Sequence, residues 1–149
     1  MEQSTDFKQK LQSVLRRHEG YEKFPYKCTA GKTTIGIGHN LDDNGLPDHI
    51  IQALFEYDIE QIANELSDRL EFFERLPETI QIVLLDMAFN LGVPRLMKFK
   101  KMLRFAELGE WFGVYQQMLD SKWAKQVGHR ADDLSKMVLS LTTNNLRHD

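Results

Sequence analysis

A chain of 149 residues that is 42% hydrophobic can bury one sizeable core but not two ordinary domains, so a single domain over residues 1–149 is expected. Its formal charge of -3, from 19 Lys and Arg against 22 Asp and Glu, gives no electrostatic case for nucleic acid or an anionic membrane as partner. One cysteine excludes an intramolecular disulfide, and no run of about 18 apolar residues suggests a membrane span.

The amino end shows neither a secretory signal nor an anchor, so the chain is expected to stay in the cytoplasm of the cell that makes it until something releases it. Ser4, Thr5 and Asp6 form a helix start signal, and Phe7, Leu11, Val14 and Leu15 recur at helical spacing. They predict an amphipathic helix to about His18 with Gly20 as its stop. From Tyr21 to Leu46 the texture changes. Thr33, Thr34, Ile35 and Ile37 are β-formers, and Gly31, Gly36, Gly38 and Asn44-Gly45 punctuate with turn signals, which predicts a small antiparallel sheet.

Asp48 is a candidate cap for a long helix of about 48–70, with Ile51, Leu54, Phe55, Ile59, Ile62 and Leu66 on one face. Pro77 suits the first turn of the next helix, whose Ile80, Val83, Leu84, Leu85, Met87, Ala88, Phe89 and Leu91 leave little polar face and predict a central position. Beyond Gly92, three shorter helices are predicted around Phe99–Leu108, Trp111–Leu119 and Asp132–Leu141, with a polar tail from Thr142 that is expected to fray. The pattern describes an α+β protein. A β-rich lobe of about 20–47 stands beside a helical lobe of about 77–141 plus the first helix, and a cleft between lobes is a usual place for a substrate.

The stretch that carries chemistry is Glu19, eight residues, Cys28, five residues, Thr34, then Ile35-Gly36-Ile37-Gly38-His39. It puts a carboxylic acid at a helix end, a thiol in a following turn and a threonine at the start of a β segment. The stretch resembles the signature of the phage-type lysozymes, endolysin muramidases with Glu, eight residues, Asp, five residues, Thr and an Ile-Gly-Ile-Gly-His run. Cys28 matches that signature in spacing only. Further likeness lies at Asp58, at Met87, Phe89, Asn90 and Gly92, and at Trp123 and Arg130 with the Gly128-His129-Arg130-Ala131 text. The resemblance implies a lysozyme-like fold acting on peptidoglycan. It also implies a His39–Asp58 ion pair, a cleft-lining Asn90 and an Arg130 that reaches Glu19.

Cleaving a glycosidic bond needs an acid to protonate the leaving oxygen and a second group to supply water or stabilise charge. Glu19, at a helix C-terminus, meets the negative end of the dipole, which favours its protonated form. Arg130 would favour the carboxylate, and its expected work is to orient the acid. Thr34 offers a hydroxyl able to donate and accept, as positioning a water requires. Cys28 has two roles open to it. As a thiolate favoured by Lys27, Lys32 or a backbone nest it either attacks the anomeric carbon, giving retention, or guides water with Thr34, giving inversion.

Other residues have plainer readings. His39 is a structural partner rather than a base, and Trp123 is mainly core with a share in lining the cleft. Phe72 and Phe73 are helix-end packing. Lys98, Lys100, Lys101 and Arg104 form a basic group whose expected reading is a solvated helix face, with contact to anionic cell wall as the alternative. Asp42, Asp43 and Asn44 resemble half of a calcium loop without its closing glutamate, so no metal and no cofactor are assigned. The rival functions are a lytic transglycosylase, which makes an anhydro product, and an inactive wall-binding module. Peptidoglycan is the expected partner, a holin the expected route to it, and a monomer the expected state.

Overall fold

The computed structural model describes residues 4–147, and side chains over residues 4–142. Two compact units divide the chain after Ala53. The first holds helix α1 (Thr5–Glu19), strands β1 (Glu22–Lys27), β2 (Thr33–Gly36) and β3 (His39–Asn40), and the one-turn helix α2 (Leu41–Asn44). It thus contains α1 as well as the sheet, unlike the expected division, which set that helix with the helical lobe.

The Ser4 side chain accepts the Phe7 amide at 3.2 Å and starts α1, which ends at Glu19 before Gly20. The sheet is antiparallel in the order β1-β2-β3. Tyr26 pairs with Thr34 and Lys27 with Thr33, while Glu22 pairs with Gly36, so the register shifts between Glu22 and Tyr26. Pro25 lies in that irregular stretch of an edge strand, where a missing amide hydrogen is tolerated. The expected turn at Asn44-Gly45 is preceded by a full helical turn. Asn40 accepts the Asp43 amide at 3.0 Å, and Asp42 and Asp43 sit at the positive end of the dipole.

Helix α3 (Asp48–Arg69) begins as expected, but Asp48 is inside its first turn rather than at its cap; the Pro47 carbonyl accepts the Ile51 amide at 3.1 Å. From Leu54 on, the second unit continues with α3, a short 3-10 turn (Phe73–Arg75), α4 (Glu78–Leu91), α5 (Val93–Leu96), α6 (Lys100–Glu107), α7 (Trp111–Leu119), α8 (Lys122–Val127) and α9 (His129–Arg147). Ile80, Val83, Leu84, Met87 and Ala88 of α4 are fully buried, with Leu66, Leu96, Met118 and Val138. The apolar α4 is therefore central to this unit's core, as its composition predicts. Phe73 is buried and Phe72 packs against the same core, which agrees with helix-end packing. Of the predicted α3 face only Leu66 is buried, with Ile62 partly so.

Besides the unpredicted one-turn helix α5, two further helical features depart from the sequence reading. Ser121 accepts the Ala124 amide at 3.1 Å and donates to the Met118 carbonyl at 2.7 Å, which starts the unpredicted α8. Helix α9 starts at His129 and continues to Arg147 instead of ending near Leu141, so the expected frayed tail is helical through that residue. The last two residues of that tail lie outside the described residues.

Helices α6 and α7 meet at Gly113. A Cβ there would come within 2.6 Å of Phe105 Cγ, far inside contact distance. Gly113→Ala gains about 1 kcal/mol of helix propensity and incurs an overpacking cost of about 1–3 kcal/mol. A net loss is expected, visible as a lower midpoint in thermal unfolding, and an unchanged or raised midpoint would contradict the packing argument.

Candidate active site

The first unit assembles the acid, the thiol and the hydroxyl from three local devices. The first is the end of α1, where Glu19 is the last helical residue. Its carboxyl group lies against Gly38. A Cβ built on Gly38 would stand 2.6 Å from Glu19 Oε2 and 2.9 Å from its Cδ, and Gly38 has a φ of +72°. Only glycine meets both the backbone angle and the clearance. The second glycine of the Ile-Gly-Ile-Gly-His run thus makes room for the acid.

The second device is the β1–β2 hairpin loop. The Cys28 amide donates to the Lys32 carbonyl at 3.0 Å, and the Gly31 amide donates to the Cys28 carbonyl at 2.8 Å. Gly31 has a φ of +78°, so the loop is a three-residue turn closed by a left-handed glycine. This geometry turns backbone amides toward the Cys28 sulfur. The thiol is half-buried, and its pKa is lowered by the Lys32 amide, then the Ala30 amide, with a smaller lowering from the Thr34 hydroxyl; partial burial opposes them.

Of the two sources of stabilisation considered for a thiolate, the backbone nest is the one present. The neighbouring lysines are otherwise occupied. Lys32 Nζ bonds Asp43 at 3.1 Å, and Lys27 Nζ donates to Thr33 Oγ1 at 2.6 Å and lies 3.9 Å from Asp42. Asp42 accepts the Thr33 amide at 2.7 Å, and that bond, followed by the charge of Lys27, holds its carboxyl below the usual range. Asp42 therefore stabilises the start of β2 above the ordinary aspartate pKa of about 3.9, and the contribution is lost as pH falls through its lower folded value.

The third device is β2. Thr34 is 4% exposed, and its hydroxyl donates to the Lys32 carbonyl at 2.9 Å. That hydroxyl has one proton to give. Turned to Lys32 it leaves lone pairs for another donor, and turned to Cys28 it stabilises a thiolate. The rate of Cys28 alkylation by iodoacetamide is therefore expected to rise with a midpoint below that of an ordinary cysteine, about 8.5. Thr34→Val removes one stabilising donor and should move the midpoint up. A wild-type midpoint at or above the ordinary value would contradict this environment.

His39, Arg130, Trp123 and Asn90 each have a partner within their own unit. His39 Nε2 bonds the Gly45 carbonyl, and Asp58 is an exposed residue of α3 in the other unit. The Arg130 Nε donates to Asp86 Oδ1 at 2.6 Å, and its Nη2 reaches the Asp86 carbonyl at 3.4 Å. Trp123 is 3% exposed, so its core role holds, and its indole N–H donates to Asn90 Oδ1 at 2.9 Å. Asn90 thus has a structural partner that the sequence did not suggest. The Asp86 partner of Arg130 was also missed. Its available signal was a lone acid in the middle of a largely apolar helix.

A small antiparallel sheet bearing Cys28 and Thr34, an acid at the preceding helix end and a following helical core define a lysozyme-like α+β protein. Residues 16–137 match the family described as Phage lysozyme. The chain belongs to the phage lysozyme family.

Among similar proteins is "Pre-baseplate central spike protein Gp5" of Enterobacteria phage T4, 27% identical over 87% of this chain and 28% of that protein. This chain therefore spans well under a third of the spike protein's length. Another is "Probable T4-type lysozyme 1" of Dictyostelium discoideum, 24% identical over 90% of this chain and 96% of that protein. The "Endolysin" of Acyrthosiphon pisum secondary endosymbiont phage 1 is 26% identical over 75% of each chain.

Proposed function

We propose that the protein is a muramidase that hydrolyses the β-1,4 bond between N-acetylmuramic acid and N-acetylglucosamine in bacterial peptidoglycan. The observation that carries this reading is the Glu19, Cys28 and Thr34 framework with the Glu19 carboxyl seated against Gly38. Names of relatives that include lysozyme and endolysin support it.

In the proposed reaction Glu19 gives its proton to the leaving glycosidic oxygen as the bond to the anomeric carbon breaks. Water attacks that carbon, and the Cys28 thiolate, aided by Thr34, orders the water and takes its proton. One turnover leaves Glu19 ionised and Cys28 protonated, and exchange with solvent restores both. The attack comes from the face opposite the leaving group and inverts the anomeric configuration.

The test is the mass of soluble products from purified peptidoglycan. Hydrolysis gives reducing muramic acid ends. The 1,6-anhydro ends of a lytic transglycosylase are 18 Da lighter by the loss of water, and their dominance would overturn the hydrolytic reading. Binding without any release of fragments would instead indicate a wall-binding module. The accompanying proposal for the cell is that the enzyme waits in the host cytoplasm until a holin opens the membrane.

A further inference from the structure

Residues 87–106 contain Arg95, Lys98, Lys100, Lys101 and Arg104 and no acid, a local cationic run in a chain whose net charge is -3. Lys98, Lys100, Lys101 and Arg104 are exposed, and among the described residues their side chains make no ion pair or hydrogen bond. Packing does not require them there. The opposite side of α6 supplies Met102, Leu103 and Ala106 to the core at 1%, 6% and 0% exposure.

The cations also border concave surface. An open cavity of about 360 Å³ is lined by Lys98, Lys100 and Lys101 with Gln117, Asp120 and Ser121. A second, of about 440 Å³, is lined by Lys100, Lys101, Arg104, Phe105 and Gln117. Lys100 and Lys101 belong to both, so the two hollows form one groove along α6. Gln117 adds an amide able to hydrogen-bond a phosphate or hydroxyl. Asp120 is the one acid in the lining and sits at the end away from Arg104's hollow. Each hollow is large enough for about one sugar-phosphate unit.

We infer that this groove binds an anionic, phosphodiester-bearing glycan polymer of the bacterial envelope, at a site separate from the Glu19 site. The inference rests on the peptidoglycan reading for the choice of polymer, because a wall-cleaving enzyme works where such polymers are attached. Charge complementarity supplies the attraction, and a row of flexible ammonium groups suits successive phosphates better than one fixed ligand. The rest of the chain is net acidic, which disfavours a long polyanion lying anywhere else on it.

The test uses Glu19→Gln protein, so that walls stay intact, and sedimentation with sacculi that carry a covalently attached glycerol-phosphate polymer. The comparison is the same sacculi after hydrofluoric acid has removed the polymer. At about 50 mM salt, binding to polymer-bearing sacculi should be at least about tenfold tighter, and the difference should fade near 0.5 M salt. Adding Lys100→Gln, Lys101→Gln and Arg104→Gln should remove it, while Lys8→Gln with Lys136→Gln should not.

Equal binding to the two sacculi, or a difference that survives the triple substitution, would overturn the inference. So would tighter binding to single-stranded DNA at equal phosphate concentration, which would make nucleic acid the occupant. The catalytic reading is checked apart from this, by wild-type cleavage of the stripped sacculi. Failure there would sink the muramidase proposal and leave the binding comparison standing.

Discussion

Glu19→Gln is expected to lower the rate of peptidoglycan cleavage by about 10²–10⁴-fold, the usual worth of a positioned proton donor. The glutamine keeps the shape and the contact with Gly38 but cannot release a proton to the leaving oxygen. Because Glu19 is exposed and lies at the end of α1, the thermal midpoint should stay close to that of the wild type. Release of reducing ends, followed alongside thermal unfolding, separates the two effects. A variant that keeps wild-type rates would remove Glu19 from the chemistry, and one that loses its fold would leave the loss of rate without a chemical meaning. Gly38→Ala gives an independent check, since its methyl group would displace the same carboxyl and should lower the rate while Glu19 itself is intact.

Much of the framework was legible because it is local. The spacing of Glu19, Cys28 and Thr34 is a one-dimensional fact, and the turn glycines announce the hairpins that carry it. The composition of α4 announces a buried helix for the same reason, since its apolar residues leave little polar face. The contacts that were not legible connect distant parts of the chain. Arg130 meets Asp86 across 44 positions and Trp123 meets Asn90 across 33, and no local pattern selects those partners over others.

Some local features were missed as well, and the reasons differ. Helices α2 and α8 hold only 4 and 6 residues, too few for a hydrophobic period to register, so their side-chain caps at Asn40 and Ser121 were the available clue. The polar composition after Leu141 suggested fraying, yet helix α9 continues to Arg147. Residues such as Arg, Leu and Asn in that stretch do not break a helix once it has nucleated. At Cys28 the sequence offered both lysines and a backbone nest as stabilisers. Only the fold decides between them, because Asp42 and Asp43 arrive from α2 to engage the lysines.

That environment bears on the largest remaining chemical choice. The Cys28 sulfur is stabilised as an anion by the amides of Lys32 and Ala30, and hydrogen bonds to a thiolate occupy the lone pairs a nucleophile would use. A lowered pKa reduces nucleophilicity with a Brønsted slope of about 0.4–0.5 and proton basicity one for one, so it does not by itself select between the two roles. The water-ordering role rests instead on the framework around the sulfur, in which Glu19 and Thr34 keep the signature spacing and the Thr34 hydroxyl stands beside the anion.

Cys28→Asp is therefore expected to retain substantial activity, since a carboxylate at the same place also accepts hydrogen bonds from water. Cys28→Ala and Cys28→Ser should lose about 10²-fold or more, because neither offers an anion near neutral pH. Proton NMR of the first-formed product should show the α-anomer, the outcome of a single inverting displacement on a β-linked sugar. A β-anomer, or a glycosyl adduct on Cys28 detected by mass spectrometry of rapidly quenched enzyme, would establish the sulfur as nucleophile and overturn the water-ordering role. Full activity in Cys28→Ala would remove the thiol from the reaction altogether and leave Thr34 as the sole residue of this pair able to order the water.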